Sequence, residues 1–408
     1  MVPVDILDCA VNRFFYDYSL PESRETHSTN GVFDYIPPLF YDAPPKCSLK
    51  QAIYAVALAN FDRRTGCSIK GIRTNIDRHY GSTLRLVAEE SQNPKTANSD
   101  ELLLAVQMLG VFESMSTGGN NVNFLQAHAM GMAALIRQRG LQIITDEYQW
   151  RIFRSIQGQL LAACLKLGVP SFIPYSDLKD IYNTGKYPMA RMLGRVHLGV
   201  DLLALWKAAS DTNDEMEKAM LLPQITTLDA ELAEWEHALP EPAQYLIRPT
   251  PRPEEIPRWI RPLVEHPGMP SKVHIYDSVQ VIYLWTLYRT LRVFISKVLL
   301  LASLRNPIPG YSIASRQSVI LRMTEDACRS VLAIFTQKID TKPHADTLED
   351  VVGFRSILVM MPLNVAKETL RLVPETPETI LRLQWIQKVY DFTMCSFLNA
   401  NRSVVDGV

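Results

Sequence analysis

This 408-residue sequence predicts an all-α fold, and three observations predict it. Apolar residues recur at helical spacing in one segment after another. No stretch alternates apolar and polar residues for long enough to build a sheet, and no repeat of fixed period is visible. Proline is concentrated, with nine of the 26 prolines in residues 240–270, so that stretch is neither regular helix nor central strand. The expectation is a single helical domain over 1–408 with 240–270 as a packed loop.

Taken in order, residues 3–20 carry a helical apolar period that ends at Pro21. Residues 21–47 are rich in Pro, Ser, Thr and Asn, and 35–45 reads as an extended loop with aromatic anchors. Ser48 and Gln51 offer a capping box into an Ala-rich helix through about Asn60. An amphipathic helix follows over 75–90, with Tyr80, Leu84 and Val87 on one face. Another opens at 98–101, and its run 102–112 is apolar on most sides, which predicts a central position.

Gly118 to Asn121 forms a turn into residues 123–140, NFLQAHAMGMAALIRQRG, which read as one complete, largely buried helix. Asn123 suits the N-cap and Gln126 the position that reaches back to it. Arg137 and Arg139 suit the negative end of the helix dipole, and Gly140 supplies a left-handed exit. Leu125, His128, Met132, Leu135 and Arg139 share one face, flanked by the small residues Ala127, Gly131 and Ala134, which would let a neighbouring helix approach.

Helices are expected next over 150–167 and 189–210, separated by Pro170, Pro174 and Pro188. Residues 211–218 read as a charged connection and 221–239 as amphipathic helix. Tyr245, Ile256, Trp259 and Ile260 anchor the proline-rich loop. The longest periodic segment is 273–303, about 45 Å if one straight helix. Residues 316–338, 348–372 and 379–403 close the chain.

The spacing of Phe124, His128, Gly131, Leu135, Ile136, Arg139 and Gly140 resembles the signature helix of the fungal-specific transcription factor domain, a regulatory region usually found behind a Zn2Cys6 cluster. That family often has Trp at the place of Phe124. The order of the other pieces is similar too: the Ala-rich helix, Tyr80–Leu84–Val87, the run ending in Phe112-Glu113, and Trp285-x2-Tyr288-Arg289-x2-Arg292. So are the apolar stretch around Pro362 and Trp385-x4-Tyr390. The resemblance runs from about residue 5 to 405 and implies a large multi-helix regulatory domain. The chain departs from the family pattern in opening directly on this region, with no cysteine cluster or basic linker ahead of it.

Composition narrows the function classes. With 47% hydrophobic and 21% charged residues, a large core can be buried. A net charge of −1 and no basic run beyond Arg63-Arg64 give little for phosphate contacts to act on, so direct nucleic-acid binding is not expected. The six cysteines are scattered with no C-x2-C, which excludes a zinc finger or cluster and fits reduced thiols. No signal-peptide pattern opens the chain, and Arg, Lys or Gln breaks every long apolar run. An intracellular protein of the nucleus or cytoplasm, off the membrane, is the expectation.

Catalytic signatures are missing: no G-x-S-x-G, Walker A loop, G-x-G-x-x-G or H-E-x-x-H occurs. Asp211, Asp214 and Glu215 resemble half of a terpene-cyclase magnesium motif, but stand without the second half and read as solvated connection. No i, i+4 histidine pair suggests a metal, and neither metal nor cofactor is expected.

Polar groups on apolar helical faces are the remaining candidates. Tyr276, Gln280 and Tyr283 fall on one stripe of the 273–303 segment, His128 lies on the apolar side of the signature helix, and Arg355 precedes Pro362. Each is either a satisfied core group or a ligand contact; for His128 the core partner would be backbone or Arg139. As ligand-binding residues these five would line a mainly apolar cavity between 273–303, the signature helix and 353–368.

Two functions follow. One is a regulatory, ligand-sensing module that binds a small apolar molecule or a protein partner. The alternative is an enzyme repurposed from the same scaffold, which would carry out a cyclisation, cycloaddition or dehydration on an apolar natural product of secondary metabolism without a cofactor, by orientation and a few hydrogen bonds.

Overall fold

A computed structural model describes residues 6–19, 33–66, 69–117, 122–184, 189–239, 243–277, 279–305, 307–308, 310–336 and 353–394. Among them are 15 α-helices and one two-stranded sheet, so the chain is all-α as its periodicity predicts. It divides into two compact units: residues 1–167 with 171–187 and 395–408, and residues 168–170 with 188–394.

The first unit contains α1 (Ile6–Tyr18), α2 (Ile36–Asp42), α3 (Ser48–Arg64), α4 (Ile72–Gln92), α5 (Asp100–Thr117), α6 (Val122–Arg139), α7 (Glu147–Leu167) and α8 (Tyr175–Asn183). Helix α5 is central, packing against α3, α4 and α6. Its Leu102, Leu104, Ala105 and Met108 are wholly inaccessible to solvent. Ser99 Oγ accepts the Leu102 amide at 3.2 Å and caps its start.

Three expectations are corrected here. Residues 36–42 are helix rather than loop, because Pro37 and Pro38 stand in the first turn, where no amide donor is needed. Ser48 and Gln51 do not form a capping box. Cys47 Sγ caps α3 instead, while Ser48 binds Glu90 and Gln51 faces His79 Nδ1 at 2.8 Å, both on α4. Leu84 is exposed, and α4 buries Ile72, Ile76 and Thr83. On α1, buried Asp17 holds Arg13, Asn60 and Arg64 at 2.8–2.9 Å and so ties α1 to α3.

The signature helix α6 is uninterrupted and starts one residue ahead of the expected cap; the turn expected at 118–121 lies outside the described residues. Gly140 leaves it at φ 78°, as its sequence suggests. The helix is only half covered. Ala129, Met132, Ala133, Leu135 and Ile136 are buried, whereas Gln126, Ala127, Met130 and Ala134 face solvent. Of the small-residue flank, Gly131 faces α5, where a Cβ would sit in ordinary contact 3.5 Å from Val106, whereas Ala127 and Ala134 do not.

The second unit contains α9 (Ala190–Asp211), α10 (Glu215–His237), β1 (Leu246–Pro249), α11 (Arg261–Val264), β2 (Lys272–Ile275), α12 (Val279–Arg305), α13 (Ile313–Thr336), α14 (Phe354–Thr369) and α15 (Pro377–Thr393). Helix α12 is its axis, packing against α9, α10, α13 and α14. The expected 273–303 helix loses its first turn to a hairpin. β2 pairs antiparallel with β1, from Leu246 opposite Ile275 to Pro249 opposite Lys272. The charged 211–218 connection is mostly helix, since Asp214 caps α10 by accepting the Glu217 amide at 2.9 Å. The segment around 240–270 packs inward, with Ile256, Ile260 and Leu263 buried.

Candidate functional site

Around α6, Glu113 of α5 accepts the Tyr80 hydroxyl at 2.5 Å, and Tyr80 stacks on Phe112 with centroids 4.8 Å apart. His128 lies over Gly110, where a Cβ would come 3.7 Å from its own. Burial pushes the His128 imidazole below its ordinary pKa, only partly opposed by the Glu113 carboxylate, and its Nε2 has no hydrogen-bond partner among the described residues. Arg139 does not satisfy it. Its guanidinium instead binds Asp100 at the start of α5 through Nη2. Gln149 Nε2 donates to the same carboxylate at 3.3 Å, and Tyr148 also bonds it.

A cleft opens beside this pair, lined by Arg139 and Gln149 and walled by Leu103, Ile136, Ile152 and Phe153 among others. The cleft is half open and has about 20 Å3 of cavity volume, room for a water or the head of a ligand.

The second unit holds Tyr276, Gln280, Tyr283 and Arg355, whereas His128 belongs to the first. Tyr276 is buried, but it stands between β2 and α12 rather than on the helix, because the hairpin takes the residues before it. Its hydroxyl lies 2.6 Å from Ser330 Oγ and accepts from Arg289 Nη1 at 2.8 Å. Tyr283 is half-buried, and the Gln280 side chain lies outside the described residues. Arg355 is buried and donates to the Phe335 carbonyl at 2.8 Å. Asn364, further along the same helix, is exposed.

Tyr276 belongs to a cluster that sequence reading did not assemble. Arg289 Nη1 also donates to Ser330 Oγ at 2.7 Å, and Ser330 donates to the Asp326 carbonyl at 2.8 Å. Arg289 Nη2 faces His274 Nδ1 at 3.1 Å, which assigns the imidazole proton to Nε2, 3.6 Å from Asp326 Oδ1. Tyr245 stacks on that imidazole with centroids 3.9 Å apart. Burial, aided by Arg289 and Arg329, pushes the His274 pKa down to about 2, so the ring is neutral. Burial raises the Asp326 carboxyl against the pull of Arg289.

Two further knots flank it. Asp229 of α10 sits between Arg292, at 2.8 Å, and Arg316, at 2.6 Å. Glu236 accepts from Tyr288 at 2.7 Å and from Arg322 at 2.6 Å, and these bonds hold its carboxyl low against the opposing effect of burial. The aromatic and arginine residues of α12 thus bond to neighbouring helices. Only their helical spacing was legible beforehand, because partners such as Glu236 of Tyr288 and Ser330 of Arg289 lie 41 or more positions away.

A helix of buried arginines in the second unit and a signature helix against an apolar α5 in the first belong to an all-α protein. The family profile of the fungal specific transcription factor domain matches residues 17–164, a stretch that takes in α2–α6 and most of α7. The matched stretch falls within the first unit. The match of this stretch to that domain suggests a regulatory role. No curated protein and no solved structure matches the chain. No helix among the described residues is long and apolar enough to cross a membrane, and no group of three or more His, Cys, Asp or Glu among them could hold a metal.

Proposed function

We propose that the chain is a regulatory module of the fungal transcription factor type that senses a small apolar molecule and acts through a protein partner, inside the cell and without touching DNA itself. The match over residues 17–164 carries the regulatory part of this reading. A half-open apolar cleft beside the signature helix supports the sensing part, because ligand sites combine apolar walls with a few polar groups. The net charge of −1 supports action through a partner rather than by phosphate contact.

The test is a fusion of the full chain to an unrelated DNA-binding domain, read on a reporter in a fungal host. Expression should differ from that given by the DNA-binding domain alone and should respond to extracts of apolar metabolites. A fusion that is expressed, folded and silent under every condition would sink the regulatory reading. Consumption of an added apolar metabolite by the purified chain, with a silent reporter, would favour the enzymatic alternative.

A further inference from the structure

The C-terminal end of α6 holds a charged group whose hydrogen bonds are incomplete. The Arg139 side chain is 5% exposed. Its Nη2 is taken by Asp100, but Nε and Nη1 have no hydrogen-bond partner among the described residues. Donors left unpaired in a buried place forgo the hydrogen bonds they would make in water, so a partner there gains what the protein forgoes. The surroundings are apolar, with Ile136, Ile152 and Phe153 beside the guanidinium in the same cleft. All these groups belong to the first unit.

The charge balance selects the ligand. Asp100 already neutralises Arg139, and the cleft adjoins the C-terminal end of α6, the negative end of a helix dipole. A carboxylate would put a second anion on one guanidinium at that end. A neutral oxygen acceptor takes the remaining N–H groups without that repulsion, and its hydrocarbon part can lie along the apolar walls. The cleft's volume of about 20 Å3 admits the head of such a molecule, with the rest toward the open side. We propose that this cleft binds a small, neutral, apolar molecule through a carbonyl oxygen, as in a ketone, ester or lactone, with Arg139 as the donor. This rests on the reading of the chain as a small-molecule sensor and names its site and ligand class.

The test uses the full chain and four eight-carbon probes, γ-octalactone, 2-octanone, octanoate and n-octane, titrated by ligand-observed NMR. The lactone and ketone should bind saturably and more tightly than octanoate or octane. Arg139→Lys keeps a cation opposite Asp100 but loses the guanidinium fork, and should weaken lactone binding roughly tenfold to a hundredfold. Ile144→Trp, at the cleft wall, should block binding while leaving Arg139 in place. Far-UV circular dichroism identifies any variant that misfolds. The proposal is overturned if neither carbonyl probe saturates at millimolar concentration, the result for a cleft that holds water only. It is equally overturned if octanoate binds best, or if both folded variants bind like wild type. Failed lactone binding with an active reporter fusion would sink this site and leave the regulatory role. Saturable binding with a silent fusion would do the reverse.

Discussion

At the residue scale, the polar side chains of α12 work as buried cross-links. Asp229 is 4% exposed and holds Arg292 and Arg316 together, so Asp229→Ala would leave two cations facing each other in the core. Denaturant unfolding should show a loss of about 3–5 kcal/mol, the scale seen when one partner of a buried ion pair is removed. Tyr276→Phe removes a hydroxyl that bonds Arg289 and Ser330 and should cost about 1–3 kcal/mol. His274 gives a pH signature. Its folded pKa of about 2 lies below the ordinary value near 6.5, so the unfolded chain takes up the proton first. Its contribution is complete above pH 6.5 and declines as pH falls, by about 1.4 kcal/mol per unit towards the folded pKa. Asp326, with its carboxyl raised, opposes this only as the pH nears the carboxylate range. Urea unfolding at pH 7.5 and 5.5 should show the loss, and His274→Gln should reduce it; an equal loss in the variant would remove His274 from the account.

At the element scale, close approach decides how the last helix sits within the second unit. A Cβ on Gly268 would lie 2.1 Å from the Leu381 carbonyl oxygen and 2.8 Å from Trp385 Cβ, so α15 can seat on that loop only with glycine there. Arg382 bonds the Gly268 carbonyl, and Trp385 Nε1 donates to the Leu263 carbonyl at 2.8 Å. Gly268→Ala must displace backbone rather than a flexible side-chain end and should cost about 3 kcal/mol in a thermal or denaturant melt. A melt within a few tenths of a kcal/mol of wild type would show that α15 rests elsewhere.

For the whole molecule, charge is the property that bears on partners. Arginines 289, 292, 316 and 355 are buried and hydrogen-bonded within the protein, so they offer no basic stripe to a duplex. Purified chain should give no sequence-specific mobility shift or footprint on duplex DNA at physiological salt, because counterion release has few phosphate contacts to draw on. A footprint that survives that salt would overturn the assignment of DNA contact to a partner. The sequence suggests one domain, whereas the structure divides into two compact units, and the family match stops at residue 164 within the first.

What the sequence by itself determined is local. The helical period, the exit at Gly140 and the spacing of the signature helix lie within a few residues of one another, and they sufficed for the all-α class and for the resemblance that the match over residues 17–164 supports. Misreadings arose where a local signal had a rival. Pro37-Pro38 signalled a loop but suits a first helical turn, and the 273–303 period concealed a strand because pairing with 246–249 cannot be read from either segment alone. Only the tertiary structure decided the rest. Ser48 and Gln51 turned from caps into links to α4, and Arg139 turned from His128 to Asp100. The physical reason is that a buried polar group takes whichever partner packing brings within about 3 Å. For Tyr276, Arg289 and His274 those partners lie up to 54 residues away, a distance over which residue spacing carries no signal.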